Sequence, residues 1–166
     1  MSEPFVVNVR DARWVTCEGF GAGTTFEHRD DRFEQVGINI RVLGLGEKAS
    51  MYHGETAQED FLVLAGECML IVEDEERLLK PWDFVHCPPG TEHVFVGAGA
   101  EPCILLMIGA RGPGIAYHYP VCEAAIRHGA GVDAETDSPD EAYANAAPLV
   151  TERPSNWDEL PWSERN

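Results

Sequence analysis

One histidine and two glutamates lie close together in the segment 53–59, which reads His-Gly-Glu-Thr-Ala-Gln-Glu. Side chains two positions apart on a strand point to the same face, so we expect His53 and Glu55 to project together. Glu59 follows a short connection and can return beside them on a neighbouring strand. Carboxylates held this close repel and raise each other's pKa unless a cation compensates. The pattern therefore predicts a divalent metal site, since N and O ligands suit Zn, Mn, Fe, Co or Ni.

A fourth candidate ligand, His93, follows the segment Pro88-Pro89-Gly90-Thr91-Glu92. Proline and glycine favour a rigid turn, which would deliver His93 onto the strand that follows. A ligand from a distant strand would complete the site. The predicted metal ligands are therefore His53, Glu55, Glu59 and His93, with at least one coordination position left open for water or substrate.

The elements that must position these side chains read as short strands over about the first hundred residues, because glycine and proline recur at short intervals. In the segment 37–45, Ile38, Ile40 and Val42 fall on one face and polar residues fall on the other. Other predicted strands are 61–64, 68–72, 77–79, 82–87, 94–96 and 103–108, with an acidic turn at 73–76. This pattern predicts an all-β fold.

The pattern changes after Pro120, where two short helices are predicted. The first spans 121–128 and is stopped by Gly129. The second spans 139–147, with Ser138 as N-cap, Pro139 in the first position and Glu141 closing a capping box. The tail that follows is acidic and contains Trp157 and Trp162. These two side chains are expected to cover the mouth of the barrel or to pack on a partner chain.

Composition limits the classes of partner. The 166 residues suffice for one domain, and the formal net charge is −17 with only 12 lysines and arginines. Binding to phosphate backbones needs many cationic side chains, so nucleic acid and anionic membranes are poor candidates. The five cysteines are odd in number and lack a C-x-x-C pair, which indicates free thiols in a reducing compartment. The first residues lack the pattern of a secretory signal, so we expect a cytoplasmic protein.

The spacing of these residues resembles the two motifs of the cupin family over roughly residues 36–108. His53, Glu55, Glu59 and Gly66 match the first motif, and Pro88, Gly90 and His93 match the second. The resemblance implies a double-stranded β-helix, that is, a jelly-roll barrel with a metal ion in its mouth. It also implies a homodimer, because cupins commonly pair through their sheet edges. The expected division is residues 1–35 leading into the barrel, 36–120 forming it, and 121–166 as a helical and irregular tail.

The chain departs from the family motifs at three positions. Glu55 replaces the second histidine of the first motif, Trp82 replaces the opening glycine of the second, and Gly97 replaces its final asparagine. A donor set of two histidines and two glutamates is harder than three histidines and one glutamate, which favours Mn, Fe(II) or Zn over Cu(I). Alternatively, Glu55 is a catalytic base or orients His53. The remaining ligands then match the two-histidine, one-carboxylate set of non-haem Fe(II) oxygenases.

Other histidines, a cysteine and several aromatic residues are not predicted to bind the metal. His86 and Cys87 are neighbours on a strand and must point to opposite faces, so Cys87 is expected to pack and His86 to line the pocket. His28 is expected on the surface, and His118 and His128 receive no role. Four aromatic residues are expected in the core or the pocket wall: Tyr52, Phe61, Phe84 and Phe95.

Three functions remain open on these grounds. The first is a metal-dependent oxygenase that acts on a small organic molecule. The second is an isomerase or lyase of a sugar or carboxylic acid, in which the metal polarises a carbonyl and a carboxylate moves protons. The third is a binding or sensor protein without turnover, with or without a metal. One fold hosts many chemistries, so the resemblance alone does not choose among them.

Replacing His93 by alanine is expected to abolish metal binding and to leave the barrel folded, because the core is apolar and independent of the ion. Elemental analysis of protein purified without chelators should find about one metal equivalent per wild-type chain and far less in His93→Ala. Full metal content in the variant would contradict the ligand assignment.

Overall fold

The computed structural model describes residues 4–27 and 32–163, so His28 lies outside the described residues. The strands are β1 (Arg13–Cys17), β2 (Gly21–Thr25), β3 (Val36–Leu43), β4 (Gly54–Glu55), β5 (Glu59–Ala65), β6 (Cys68–Val72), β7 (Glu75–Leu79), β8 (Phe84–Cys87), β9 (His93–Gly97), β10 (Cys103–Ala110) and β11 (Tyr117–His118). The helices are α1 (Glu123–Arg127) and α2 (Pro139–Ala142), with 3₁₀ turns at Val9–Asp11 and Trp157–Glu159. No helix in these ranges is long and apolar enough to span a membrane.

The strands form one large and two small antiparallel sheets. The large sheet has the order β1-β2-β3-β10-β5-β8, and the small ones have the orders β7-β6-β9 and β11-β4. A bridge between His53 and His93 links the start of β4 to β9, and a second bridge joins Lys48 to Val96. The small sheets thereby form one layer that faces the large sheet. The predicted all-β jelly-roll barrel is confirmed.

Strand β3 has one face inside the barrel and one face outside. Leu43 belongs to the inner core together with Phe61, Phe95 and Leu105. The alternation predicted for Ile38, Ile40 and Val42 is confirmed, but this face is the outer one: Ile40 and Val42 pack against Trp14 and Leu160. The polar face of β3 therefore points into the barrel, because residues alternate between the two faces of a strand.

The C-terminal tail covers the outer face of the large sheet. Trp157 and Trp162 lie 5.8 and 5.6 Å from Trp14, measured between ring centroids. A bridge between Thr16 and Val150 ties the tail to β1. The predicted position at the barrel mouth is therefore wrong, whereas packing on a partner chain stays a prediction. They bury apolar surface within their own chain, away from the barrel mouth.

The second predicted helix is shorter than expected. α2 ends at Ala142, because Tyr143 at its C-cap turns inward, where its ring lies 5.6 Å from that of Phe20. The Glu141 N–H donates to the Ser138 hydroxyl at 3.4 Å, as a cap requires. However, the Glu141 carboxylate accepts from the Thr136 hydroxyl instead of from the Ser138 backbone, so the capping box is incomplete. The first helix is confirmed, with Gly129 at a φ of 67° beyond its end.

The hairpin between β6 and β7 has a tighter turn than predicted. Glu73 and Asp74 have φ values of 48° and 64°, which is the conformation of a two-residue type I′ turn. Glu75 and Glu76 therefore belong to β7 and pair with β6. The acidic turn is confirmed but contains two residues instead of four.

Trp82 stands where the second cupin motif has glycine, and its φ of 77° is left-handed. Its backbone N–H donates to Val63 O at 2.7 Å, which holds the turn before β8, while its side chain is 74% exposed. A left-handed conformation costs about 1–2 kcal/mol for a residue with a Cβ. The chain thus keeps the backbone that the motif glycine would favour at the expense of local strain.

Trp82→Gly is expected to raise the free energy of unfolding by about 1 kcal/mol, because it removes this strain and little packing. Urea unfolding of wild type and variant measures the difference. Trp82→Ala is the matched control, since it also removes the indole but retains a Cβ. An equal gain in both variants would assign the effect to the indole instead of the backbone.

Candidate metal centre

The backbone brings the two histidines of the predicted site together. His53 lies just before β4 and His93 begins β9, and their peptide groups exchange two hydrogen bonds of 3.2 and 2.9 Å. Their ring centroids are 5.4 Å apart. This bridge joins two parts of the chain that lie forty positions apart in the sequence. The position of each ring therefore depends on sheet pairing as well as on its own turn.

Each histidine has one ring nitrogen bound to the backbone. His53 Nδ1 donates to Met51 O at 2.8 Å, and His93 Nδ1 donates to Thr91 O at 3.0 Å. A carbonyl oxygen only accepts hydrogen bonds, so Nδ1 carries the proton in both rings. In a neutral imidazole, Nε2 then has a free lone pair. This arrangement, with the second nitrogen held by a backbone carbonyl, is typical of histidines that bind metals.

Both Nε2 atoms face carboxylates. His53 Nε2 lies 3.7 Å from Glu55, and His93 Nε2 lies 3.4 Å from Glu59. A lone pair that faces a carboxylate oxygen is unfavourable unless a proton or a metal ion lies between them. The four side chains are each at most 14% exposed, so water screens this repulsion poorly. Protons or a cation can relieve this repulsion, and the donor set fits a divalent metal.

Three of the predicted residues form the tightest group. One ligand atom each of His53, Glu55 and Glu59 lie within 4.8 Å of one another. His93 lies beside this group and contacts it through Glu59. Glu55 comes from β4 and Glu59 from the first position of β5, where it pairs with Gly109 of β10. The short connection from Thr56 to Gln58 lets the chain return, as the sequence indicated.

The ionisation of the cluster is strongly perturbed. Burial raises the pKa of Glu59 to about 8, and the charge of Glu55 adds to this effect. Burial also lowers the pKa of His93 to about 4, with a further contribution from His53. For His53, burial opposes protonation, but the hydrogen bond to Glu55 outweighs it and raises the pKa. The cluster thus holds protons where a metal ion would otherwise supply positive charge.

Two tyrosines at the site were missed by the sequence analysis. The Tyr119 ring lies 5.6 Å from that of His53 in a stacked arrangement, and the Tyr117 ring lies 6.3 Å from it. Tyr117 pairs with Glu55 across the β4–β11 ladder and is 39% exposed, whereas Tyr119 is buried. Their alternation, Tyr-x-Tyr, is the signal in the sequence that places both rings on one face of a strand.

Other candidate residues lie elsewhere. His86 was expected to line the pocket, which is wrong: it is half-exposed and bonds Asp60 at 2.7 Å on the outer face. Cys87 is buried in the inner core, as predicted. His118 bonds the exposed Asp137 at 2.7 Å, and His128 lies 3.4 Å from Glu76.

The remaining aromatic and cysteine predictions are mostly confirmed. Tyr52, Phe61 and Phe95 are buried, whereas Phe84 is 63% exposed and belongs to neither the core nor a pocket wall. All five cysteines are free, as predicted.

The raised pKa of Glu59 predicts a pH dependence of stability in chelator-treated protein. A carboxyl whose pKa is raised by folding stabilises the fold below its unfolded pKa, and this contribution is lost as pH rises towards about 8. His93, whose pKa is lowered, produces the opposite trend only below its unfolded value of 6.5. The Glu59 contribution should therefore be visible between pH 6.5 and 8.

We expect wild type to lose about 1–2 kcal/mol of unfolding free energy, relative to Glu59→Gln, between pH 6.5 and 8. Urea unfolding in the presence of a chelator at several pH values measures this difference. Parallel pH profiles for the two proteins would show that Glu59 is not the titrating group.

Comparison with known proteins gives a consistent assignment. The family described as the cupin domain matches residues 41–109, which include all four predicted ligands. A search of curated proteins gives no match.

Solved structures share the fold. A sugar phosphate isomerase of the cupin superfamily from Silicibacter pomeroyi is 19% identical, with a TM-score of 0.61 over 89% of this chain and 92% of that one. A polyketide cyclase from Streptomyces resistomycificus is 13% identical, with a TM-score of 0.60 over 96% of this chain and 95% of that one. A candidate sugar phosphate isomerase from Acidithiobacillus ferrooxidans is 26% identical, with a TM-score of 0.55 over 61% of this chain and 67% of that one. The match to the cupin domain thus covers residues 41–109, less than half of this chain, and the solved structures share its fold.

Proposed function

We propose that this protein is a metal-dependent enzyme that isomerises or cleaves a small organic molecule by moving protons next to a carbonyl group. The observation that carries the proposal is the pair of buried Nε2 atoms that face carboxylates at 3.7 and 3.4 Å. His53, Glu55, Glu59 and His93 would hold one divalent ion. When bound, the ion would supply a Lewis acid that polarises a substrate oxygen.

The residues around the ion have complementary roles in this proposal. Glu59 and the two histidines act as ligands. Glu55, on the short strand β4, either completes the ligand set or accepts a proton from substrate. Burial and the charges of the two glutamates raise the pKa of Tyr117, so its phenol keeps its proton and offers a hydrogen bond at the site.

One similar structure supports proton-transfer chemistry over oxidation. The protein that is 26% identical to this chain is described as a candidate sugar phosphate isomerase. The oxygenase, the first of the functions that the sequence left open, is the second candidate, because His53, Glu59 and His93 supply two imidazoles and one carboxylate. It requires Fe(II) and dioxygen, which makes the two candidates distinguishable.

Small molecules are the partners that this site suits. The homodimer and the cytoplasmic location stay predictions. So does the expectation that neither nucleic acid nor membrane is a partner. Size-exclusion chromatography with light scattering measures the oligomeric state directly.

The proposal predicts metal-dependent exchange of carbon-bound hydrogen. Protein reconstituted with Mn, Fe(II), Co, Ni or Zn is incubated in D2O with aldose and ketose phosphates and with unphosphorylated sugars, and deuterium incorporation is followed by NMR. We expect exchange that is lost with EDTA and in His93→Ala. The matched control is His86→Ala, because His86 lies on a barrel strand but faces outward.

The outcomes separate the candidates. Consumption of dioxygen by the iron form, without hydrogen exchange, would replace the isomerase or lyase by the oxygenase. A protein that gains no metal on reconstitution would overturn both and leave a binding protein.

A further inference from the structure

Arg41 points into the barrel from the middle of the large sheet. It lies on β3, opposite Leu105 of β10 and opposite Gly23 of β2. Leu105 and the next inward residue of β3, Leu43, belong to the inner core. Directly paired residues share a face of a sheet, so the guanidinium lies on the same inner face as these leucines. A cation in this position is unusual, because arginine is almost never fully buried unless it is paired.

The guanidinium of Arg41 has no carboxylate partner among the residues at 4–27 and 32–163. Its Nε is fully buried and makes no hydrogen bond. Arg111 shows the usual alternative, since it bonds both carboxylate oxygens of Glu27 and the carbonyl of Phe33. A buried cation without a partner is destabilising by several kcal/mol in general. Burial accordingly lowers the pKa of Arg41. A ligand that supplies the missing negative charge would offset this expense.

A glycine leaves room for the guanidinium. A Cβ at Gly23 would lie 2.9 Å from an η nitrogen of Arg41 and 3.2 Å from its Cζ, which is closer than ordinary contact. The planar group therefore lies against the bare backbone of β2. Arg41 as a whole residue keeps partial solvent exposure, although its Nε is enclosed. This cradle fixes the orientation of the guanidinium and leaves its hydrogen-bond donors without a protein partner.

Tyr143 connects Arg41 to the metal centre. Its hydroxyl accepts from Met51 N–H at 3.0 Å, and the Met51 carbonyl accepts from His53 Nδ1 at 2.8 Å. The ring of Tyr143 lies 6.1 Å from that of Tyr119, which stacks on His53. The charges of both Arg41 and Glu55 act on Tyr143, so its phenol is near enough to feel both the cation and the carboxylate cluster.

We propose that Arg41, seated on Gly23, is an oxyanion subsite that binds the carboxylate or phosphate group of the ligand. A guanidinium binds such groups through two parallel hydrogen bonds. The binding of an oxyanion by Arg41 does not depend on the proposed function. Only the further statement, that the rest of the ligand reaches the metal centre, rests on it. The strongly acidic chain makes a local cation necessary for an anionic ligand.

The test uses full-length, chelator-treated protein, so that no metal ion can bind the probe. Inorganic phosphate and acetate are titrated separately, and binding is followed by isothermal calorimetry and by the ¹⁵N shift of arginine Nε. We expect saturable binding of at least one probe by wild type, weakened tenfold or more in Arg41→Met. The probe that binds more tightly identifies the phosphate or carboxylate class. Arg77→Met is the matched control, because Arg77 is an exposed arginine on β7 and should bind as wild type does.

Gly23→Ala provides a second, independent variant. It keeps Arg41 but displaces the guanidinium, so it should weaken binding while retaining the charge. Equal affinity in wild type and Arg41→Met, or no saturable binding of either probe by wild type, would overturn the subsite. Metal content of the same variants is measured separately. Retained metal with lost oxyanion binding supports the subsite, whereas lost metal in His93→Ala concerns the proposed function alone.

Discussion

The repulsion between histidine lone pairs and glutamate carboxylates is the constraint on which the site depends. Two backbone carbonyls fix the Nδ1 protons of His53 and His93, so in the neutral rings both Nε2 atoms face the acidic side chains as acceptors. The surrounding barrel is apolar, and the four side chains are nearly enclosed, so solvent cannot relieve the conflict. A cation is the direct way to satisfy all four groups at once. The fold therefore holds in place an arrangement that becomes favourable when protons or a metal ion supply positive charge.

Sheet pairing is what maintains this arrangement against its own repulsion. The bridge between His53 and His93 fixes two rings on neighbouring backbones, while the β5–β10 ladder fixes Glu59 opposite Gly109. These pairings bury apolar residues such as Phe61 and Leu105, which contribute stability independent of the cluster. The free-energy cost of burying the charged side chains is offset by the apolar core that lies beside them. This separation is the physical reason to expect that a ligand can be replaced without loss of the barrel.

The sequence predicted the inner strands and the convergence of the site, because both follow from short-range spacing. The alternation in β3 and the spacing from His53 to Glu59 each determine which side chains share a face of the sheet. The positions of Trp157, Tyr117 and Arg41 depend on long-range packing, which no local pattern encodes. Alternation showed that Arg41 and Ile40 lie on opposite faces, but not which face is inside. The end of α2 was misplaced for the same reason, since Tyr143 is drawn inward by Phe20 and Met51.

The departures from the cupin motifs have local physical reasons. A Cβ at Gly97 would lie 2.1 Å from the carbonyl oxygen of Gly44, so the asparagine of the motif cannot fit this backbone. Glu55 has a wider consequence. A divalent ion bound by two carboxylates has no net charge, so the centre would attract an anionic ligand less than three histidines and one glutamate would. In a chain with a formal charge of −17, that attraction must come from another group in the barrel. Arg41 is a cation on the inner face of the barrel. The replacement of a histidine by Glu55 lowers the positive charge of the metal centre, and the unpaired guanidinium of Arg41 supplies positive charge nearby, so the two features belong to one electrostatic arrangement.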